Sequence, residues 1–290
     1  ILSVKDLSIN FYSGGKQFKV IQDLSFNLFP GETLSLVGES GSGKSVTALS
    51  ILQLLPKSAQ IKNGSIKFIG KELVGKSETY MRSLRTKKIG IIFQEPMTSL
   101  NPLQSIGAQV GEVLEIHLGL SKREIRPRVI NLLEMVGFNN ASKRLSSLPH
   151  ELSGGERQRV MISMSLALEP EILIADEPTT ALDSTIQSQI LSLLSNLKKS
   201  IGMSIIFITH DLSVVKRFAD NICVMKTGKI VEYGSVNSIF NYAKNPYTKK
   251  LLLSQPVIKE GKKNKIGSEL INVKNLKVWF PIKDGIIRRT

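Results

Sequence analysis

Apolar and polar residues alternate through the first 29 residues of the chain, as in strands that bury one face. The pattern predicts two antiparallel strands joined by a Ser-Gly-Gly turn at residues 13–15. A second hairpin is predicted over residues 61–74, with its turn at Gly70. A further strand is predicted over residues 89–93 and ends at Gln94.

The spacing of apolar residues becomes helical between residues 96 and 159. We interpret this block as an inserted helical subdomain, because the alternation of strands and helices resumes after it. Strands are predicted at 172–175, 205–208 and 221–225, helices at 186–197 and 214–219, and a hairpin at 228–231. This order predicts an α/β fold in which helices flank a parallel sheet and a ligand binds at the carboxyl ends of the strands.

The chain after residue 235 is predicted to form three segments. Residues 236–258 are a helical extension that contains the motif N-P-Y-T at 245–248, and residues 259–268 are a polar, Lys-rich linker. Residues 269–290 begin like the start of the chain. The identical pairs are Val4 and Val273, Lys5 and Lys274, Leu7 and Leu276, and Phe11 and Phe280. This repeat predicts the first strand of a second copy of the same domain.

The composition is that of a globular protein, with 41% hydrophobic and 22% charged residues. No apolar run approaches the roughly 20 residues that a membrane-spanning helix needs. The net charge of +15 would suit nucleic acid or an anionic membrane face, but the basic residues are scattered, so charge alone decides nothing. The single cysteine, Cys223, excludes a disulfide framework and is predicted to be a buried structural thiol.

A glycine-rich motif, G-E-S-G-S-G-K-S, occupies residues 38–45 and fills every position of a phosphate-binding loop. Glycines let successive N–H groups point into one concavity at a helix N-terminus, where phosphate binds. The residues predicted to contact nucleotide are Gly38, Glu39, Ser40, Gly41, Ser42, Gly43, Lys44, Ser45 and Val46. The motif predicts nucleoside triphosphate binding, with Lys44 at the β- and γ-phosphates and Ser45 as a ligand of Mg²⁺.

Two carboxylates, Asp176 and Glu177, follow the apolar strand predicted at 172–175. A carboxylate at such a strand end faces the phosphate loop and suits Mg²⁺, so Asp176 is a predicted metal ligand. Glu177 is then placed to polarise the attacking water in phosphoryl transfer. A surface Asp-Glu pair without function is disfavoured, because this pair ends a buried strand.

A second glycine-rich segment, L-S-G-G-E-R-Q, occupies residues 152–158. Ser153 is predicted to cap a helix, and Gly154 and Gly155 leave the first amides of that helix accessible to an anion. The phosphate loop already accounts for one phosphate site, so this second one needs its own explanation.

Together these motifs resemble those of ATP-binding-cassette (ABC) ATPases. The resemblance rests on the two glycine-rich segments, Gln94, I-L-I-A-D-E-P and His210, and it covers residues 1–235. It implies a P-loop NTPase fold, with a RecA-like parallel sheet and an antiparallel β-subdomain formed by residues 1–95 and 160–235. Residues 96–159 would be the ABC helical subdomain. ATP and Mg²⁺ would be the cofactors, and ATP hydrolysis the activity.

The resemblance also implies roles for single residues. Gln94 would sense Mg²⁺ or water and couple to a membrane partner, and His210 would contact the γ-phosphate and the attacking water. Asp183 would belong to a loop that communicates across a dimer. In that dimer residues 153–155 would close over the nucleotide held by the opposite domain, which explains the second phosphate site.

The adenine base is expected to stack on an aromatic side chain near the turn of the first hairpin. By resemblance to the family this residue is Phe11 or Tyr12, with Phe18 as an alternative. The loop departs here from the shorter family form, so the position stays open among the three.

Residues 94–103 (Q-E-P-M-T-S-L-N-P-L) and 245–248 (N-P-Y-T) resemble ATPase subunits of dipeptide and oligopeptide importers. With the start of a second copy, the chain resembles fused two-domain importers of the Yej type, which take up peptides and the peptide antibiotic microcin C. The resemblance implies several partners: two membrane-spanning permease subunits, an external substrate-binding protein, and a second ABC domain in the same chain or a homologous subunit. The location would be peripheral, at the cytoplasmic face of the inner membrane.

Two alternatives stay open. ABC importers for nickel or glutathione have closely similar ATPase subunits. Other ABC ATPases act on DNA or the ribosome without a membrane partner, and the net charge of +15 would suit them. Those proteins usually carry long coiled-coil, zinc or linker insertions, whereas the helical block here has importer size. The sequence therefore favours transport, with no nucleic-acid partner.

Overall fold

The computed structural model describes residues 1–94, 99–180, 182–254 and 271–279. Contacts divide the chain into two units, Ile1–Gln255 and Pro256–Thr290, and the helices and strands below belong to the first. Within the described ranges, none of the helices combines the length and apolarity needed to cross a bilayer. The predicted linker at residues 259–268 and the repeat residue Phe280 lie outside the described residues.

The described strands alternate with helices after the first hairpin. The strands are β1 (Leu2–Ser13), β2 (Lys16–Leu28), β3 (Thr33–Val37), β4 (Ala59–Phe68), β5 (Lys71–Glu72), β6 (Ile89–Ile92), β7 (Ile172–Asp176), β8 (Ser204–Thr209), β9 (Asn221–Lys226) and β10 (Lys229–Ser235). The helices are α1 (Lys44–Ile51), α2 (Glu78–Leu84), α3 (Ile106–Leu118), α4 (Lys122–Met135), α5 (Ala141–Arg144), α6 (Gly154–Leu166), α7 (Ser184–Ile201), α8 (Leu212–Phe218), α9 (Val236–Tyr242) and α10 (Pro246–Leu253).

Strands β2, β1, β4 and β5 form an antiparallel sheet in that order, which confirms both predicted hairpins. Strand β1 buries Leu2 and Val4 and then Leu7, with a register shift between Val4 and Leu7. Asp6 lies in this β-bulge with a φ of 50°. The bulge inserts one residue, so the buried face of the strand continues in a shifted phase.

Strands β10, β9, β3, β8, β7 and β6 form the second sheet in that order, parallel except for β10. The predicted parallel sheet is therefore confirmed. Successive residues of β8 pack into two different cores. Ile205 and Phe207 pack with the helices α3 to α7, and Ile206 and Ile208 pack with α1 and the antiparallel sheet. Both faces of this sheet are covered, which explains why its central strands are apolar throughout.

Helix α6 joins the helical region to the parallel sheet. It runs through residue 159, where the sequence placed the end of the helical block, and continues to Leu166. Near its C-terminal end, the Ser165 hydroxyl donates a hydrogen bond to the Ile91 carbonyl in β6 at 2.6 Å. The subdomain bounds stay a prediction, but the helix itself is continuous across the predicted boundary.

The repeat segment, residues 271–279, has no strand structure in the described residues, and its side chains are exposed. The strand predicted here is therefore not formed. A strand exists only beside a hydrogen-bonded neighbour, and β1 has two, β2 and β4. The second domain stays a prediction.

Candidate nucleotide-binding site

Four loops follow neighbouring strands of the parallel sheet. The phosphate loop follows β3, His210 follows β8, Glu177 follows β7, and Gln94 lies two residues beyond β6. In the sheet these strands are adjacent in the order β3-β8-β7-β6. Because carboxyl ends of parallel strands share one edge, residues that are more than 80 positions apart in sequence come together there.

The phosphate loop borders a cavity of about 220 Å³. The cavity is lined by Val20, Ser40, Gly41, Gly43, Lys44, Ser45, Val46, Gln94 and Glu177. Gly43 has a φ of 102°, and a Cβ atom there would lie 2.4 Å from the Ile21 Cδ1 atom of β2. Only glycine therefore allows this loop to curl and still pack against the antiparallel sheet.

Lys44 belongs to the phosphate loop, and only 5% of the residue is exposed. Its Nζ donates to the carbonyl oxygens of Gly38 at 2.9 Å and Glu39 at 3.0 Å. Burial lowers the pKa of Lys44, and the charges of Glu177 and Asp176 oppose that shift. The buried Ser42 Oγ has no hydrogen-bond partner among the described residues.

Asp176 ends β7 and is 7% exposed. Burial raises the pKa of its carboxyl group; a hydrogen bond with the Ser45 hydroxyl opposes this shift, and the Glu177 charge adds to it. The buried Asp176 Oδ1 finds no hydrogen-bond partner in the described part of the chain. A buried carboxylate oxygen without a partner beside a hydroxyl fits Mg²⁺, which prefers oxygen ligands.

Glu177 is the centre of a hydrogen-bonded cluster beside the cavity. Its Oε2 accepts from Gln94 Nε2 at 3.1 Å and from Thr180 Oγ1 at 2.9 Å, and its Oε1 lies 3.1 Å from His210 Nδ1. Burial alone would raise the pKa of Glu177, but the bonds from His210 and Thr180 outweigh burial and lower it. The carboxylate is therefore ionised at neutral pH and can accept a hydrogen bond, and then a proton, from a water molecule.

The segment at residues 152–158 forms a second cluster that does not line the cavity of the described chain. Ser153 caps α6 in a capping box with Glu156. A Cβ atom on Gly155 would lie 2.8 Å from Ile186 Cγ2 in the first turn of α7, whose cap is Asp183. The structure thus brings Ser153, Gly154, Gly155 and Asp183 to two neighbouring helix N-termini, and none of the four lines the cavity beside the phosphate loop.

The three candidate adenine-stacking residues do not line this cavity in the described structure. Phe11 packs partly buried against the core, the Tyr12 ring has Lys62 Nζ at 5.4 Å from its centroid, and Phe18 is 51% exposed. Val20 in β2 does line the cavity. Sequence reasoning missed Val20, because nothing in its local pattern differs from the other apolar positions of the strand. The adenine-stacking role stays a prediction.

Comparison with known proteins decides the family. A sequence profile described as ABC transporter matches residues 21–180. The chain belongs to the ABC transporter family. It is 51% identical over 290 residues to the peptidoglycan transport ATP-binding protein YejF of Agrobacterium fabrum. This alignment covers 100% of this chain and 53% of that protein. It is 52% identical over 259 residues to the oligopeptide transport ATP-binding protein OppD of Bacillus subtilis. That alignment covers 89% of this chain and 72% of the OppD protein.

Solved structures of ABC cassettes share the fold. The cassette MJ0796, in a dimeric post-hydrolysis state bound to ADP and Pi, superposes with a TM-score of 0.73 at 28% identity, over 81% of this chain and 99% of that chain. CbiO1 from Clostridium perfringens, part of the ABC transporter complex cbiONQ, superposes with a TM-score of 0.71 at 31% identity. The superposition covers 88% of this chain and 96% of that chain. The predicted ABC fold is therefore confirmed. The chain spans about half the length of the YejF proteins it matches.

Proposed function

We propose that this chain binds and hydrolyses ATP as the nucleotide-binding part of an ABC importer for peptides. The observation that carries the proposal is the cluster in which Gln94, Thr180 and His210 surround the Glu177 carboxylate beside the phosphate loop. A phosphate cradle next to an ionised, oriented carboxylate is the arrangement that water attack on a γ-phosphate requires. The MJ0796 structure, described as a post-hydrolysis state bound to ADP and Pi, supports the same reaction.

Each residue of the site has a task in this reaction. The loop amides and Lys44 hold the phosphates, and Glu177 accepts the proton of the attacking water. Gln94 and His210 hold the Glu177 carboxylate in one orientation. Mg²⁺ would be held by Ser45 and Asp176, with Gln94 nearby, and would neutralise phosphate charge when bound.

A second ABC domain completes the site. In the described chain residues 153–155 do not line the cavity beside the phosphate loop, so we propose that each nucleotide lies between two domains arranged head to tail. MJ0796, described as dimeric, supports this arrangement. The partner domain would come from the same polypeptide or a homologous subunit, since YejF relatives are about twice as long as this chain.

Membrane permeases would receive the motion of closure. A groove of about 170 Å³ next to Gln94 is lined by Phe93, Val113, Met161 and Met164, among other residues. Phe93 is 41% exposed there, and apolar grooves with flexible methionines suit an inserted helix. We assign this groove to a helix of one permease subunit, and the second permease subunit would bind the second ABC domain. The chain would lie peripherally at the cytoplasmic face of the inner membrane.

Peptides are the proposed cargo, delivered by an external substrate-binding protein. YejF, OppD and DppD relatives, named for transport of peptidoglycan, oligopeptide and dipeptide, support this class over nickel or glutathione. Cargo specificity would reside in the permeases and the binding protein, and microcin C is a further candidate cargo. No nucleic-acid partner is proposed.

Co-purification from solubilised membranes tests the proposal. The full-length protein carrying Glu177→Gln, loaded with ATP, is expected to bring down two polytopic subunits identified by mass spectrometry. The same preparation with Lys44→Ala, which prevents nucleotide-driven closure, is the control and should retain them less well. Recovery of ribosomes or DNA from the soluble fraction instead would contradict the transport function.

A further inference from the structure

The N-P-Y-T motif at residues 245–248 is fixed to the edge strand of the parallel sheet. Asn245 caps α10 by accepting a hydrogen bond from the Tyr247 backbone N–H at 2.9 Å. Glu232 in β10 accepts from the backbone N–H groups of Lys244 at 2.6 Å and of Asn245 at 3.2 Å. These bonds set where the first turn of α10 begins and therefore where Tyr247 lies.

The side chain of Tyr247 extends from α10 to the phosphate loop. Its hydroxyl accepts a hydrogen bond from the Glu39 backbone N–H at 3.2 Å, and the residue is 9% exposed. Lys226 Nζ, at the end of β9, lies 4.8 Å from the centroid of its ring. Burial and this cation–π contact hold the ring in one place, so the hydroxyl is a fixed acceptor.

The peptide between Gly38 and Glu39 is thereby held from both ends. Tyr247 binds its N–H group, and Lys44 Nζ binds its carbonyl oxygen at 2.9 Å. The same ammonium group binds the next carbonyl, that of Glu39, at 3.0 Å. Because a trans peptide is planar and its N–H and C=O groups point in opposite directions, fixing one end fixes the other.

We propose that Tyr247 is a positioning residue for the phosphate loop: it orients the Gly38–Glu39 peptide and, through that carbonyl, the Lys44 ammonium group. The inference rests on the proposed binding of ATP at this loop. A loop that is already ordered loses less conformational freedom when the phosphates bind, so affinity is higher. The helical extension thus contributes to a site whose chemistry lies elsewhere in the sequence.

Tyr247→Phe tests the proposal, because it removes the hydroxyl and keeps the buried ring. We expect the Kd for ATP of the full chain to rise roughly three- to tenfold, the net value of one hydrogen bond. The KM for ATP should rise in parallel, while kcat stays within roughly twofold because the Glu177 cluster is untouched. Tyr233→Phe, at an exposed tyrosine of β10, is the matched control and should change neither.

A double-mutant cycle with Lys44→Ala separates positioning from general destabilisation. If Tyr247 acts through Lys44, Tyr247→Phe has no further effect on the residual ATP affinity of Lys44→Ala. An unchanged Kd in Tyr247→Phe, even with a lower melting temperature, overturns the proposal, and so does full additivity in the cycle.

The Glu39 amide provides a second readout that does not depend on ATP. In the nucleotide-free chain its hydrogen exchange should be faster in Tyr247→Phe than in the wild type, and equal rates would overturn the proposal. A wild-type chain that binds no ATP would overturn the proposed function instead, and the exchange measurement would still decide the role of Tyr247.

Discussion

At the scale of single residues, Glu177 is the most constrained side chain of the site. It has a φ of 46°, and its backbone N–H donates to the Ile208 carbonyl at 2.9 Å. A non-glycine residue in this conformation is strained and persists only where its surroundings fix it, and such strain is common at active sites. The contacts to Gln94, Thr180 and His210 are those surroundings.

Glu177→Gln is expected to leave ATP binding intact and to slow hydrolysis by roughly 10² or more, because the amide cannot accept the proton of water. The amide keeps the size of the side chain, so the fold should not change. Phosphate release and ATP titration measure the two quantities. Glu115→Gln, which neutralises an exposed carboxylate on α3, is the control and should hydrolyse ATP normally. Near-normal turnover in Glu177→Gln would remove Glu177 as the base.

Lys44→Ala is expected to weaken ATP binding by roughly 10² or more, since it removes charge-assisted hydrogen bonds to phosphate. Calorimetric titration measures the loss, and the melting temperature checks that the chain is folded. Lys16→Ala, at an exposed lysine of β2, serves as the control. Retained micromolar affinity in Lys44→Ala would refute the phosphate-loop assignment.

At the residue scale, the sequence selected Asp176 and Glu177 by their place at a strand end, Lys44 by the phosphate-loop motif and His210 by the resemblance. The structure places these four residues at the same sheet edge. Their catalytic roles stay predictions. Thr180 was not selected, because its bond to Glu177 depends on how the chain turns after β7, and no local pattern encodes that turn.

At the scale of elements, the turn between β9 and β10 joins the phosphate loop to the antiparallel sheet. Gly228 donates its N–H to the Ser42 carbonyl at 3.1 Å and accepts from the Gln22 N–H at 2.9 Å. Its φ is 78°, and a Cβ atom there would lie 2.1 Å from the Val20 carbonyl oxygen. One glycine thus connects both sheets beside the nucleotide cavity.

Gly228→Ala is expected to lower both the melting temperature and the ATP affinity, because the added methyl group forces the turn away from the loop. Gly31→Ala is the matched control: Gly31 has a φ of 69° with no atom within 4 Å of the added Cβ. The free energy of unfolding of the control should fall by about 1–2 kcal/mol, the cost of a left-handed backbone at a residue with a Cβ atom, and its ATP affinity should not change. Equal losses in the two variants would contradict the joining role of Gly228.

Prediction of an element succeeded where the element that it pairs with is close to it in the sequence. All three predicted hairpins are formed, because turn and alternation are local signals. The bulge at Asp6 was not foreseen, although the step from Val4 to Leu7 in the buried pattern marks it. The strand predicted within residues 269–290 is not formed in the described part of that segment, residues 271–279, because alternation alone does not supply a neighbouring strand.

At the scale of the whole molecule, the residues proposed to bind nucleotide form two groups. Lys44 and Glu177 line the cavity, whereas Ser153 and Asp183 lie at the adjoining N-termini of α6 and α7. Sequence motifs identified both groups, but the sequence alone did not show whether the two groups line one cavity within a single chain. In the described structure they do not line a common cavity, which is the geometric reason for proposing a second domain.

Mixing two inactive variants tests this division. Lys44→Ala damages the phosphate loop, and Ser153→Glu places a negative charge where the opposite nucleotide would bind, so each is expected to be inactive alone. In a mixed head-to-tail dimer, one site combines an intact phosphate loop with an intact Ser153 segment. If one intact site suffices, equal mixtures should recover roughly a quarter of the wild-type ATPase rate by random pairing. The double variant Lys44→Ala/Ser153→Glu mixed with Lys44→Ala contains no intact phosphate loop, so it should stay inactive and is the control. No recovery, in mixtures shown to dimerise, would contradict a single intact site between two chains, and a Ser153→Glu chain that is active alone would contradict the role of Ser153.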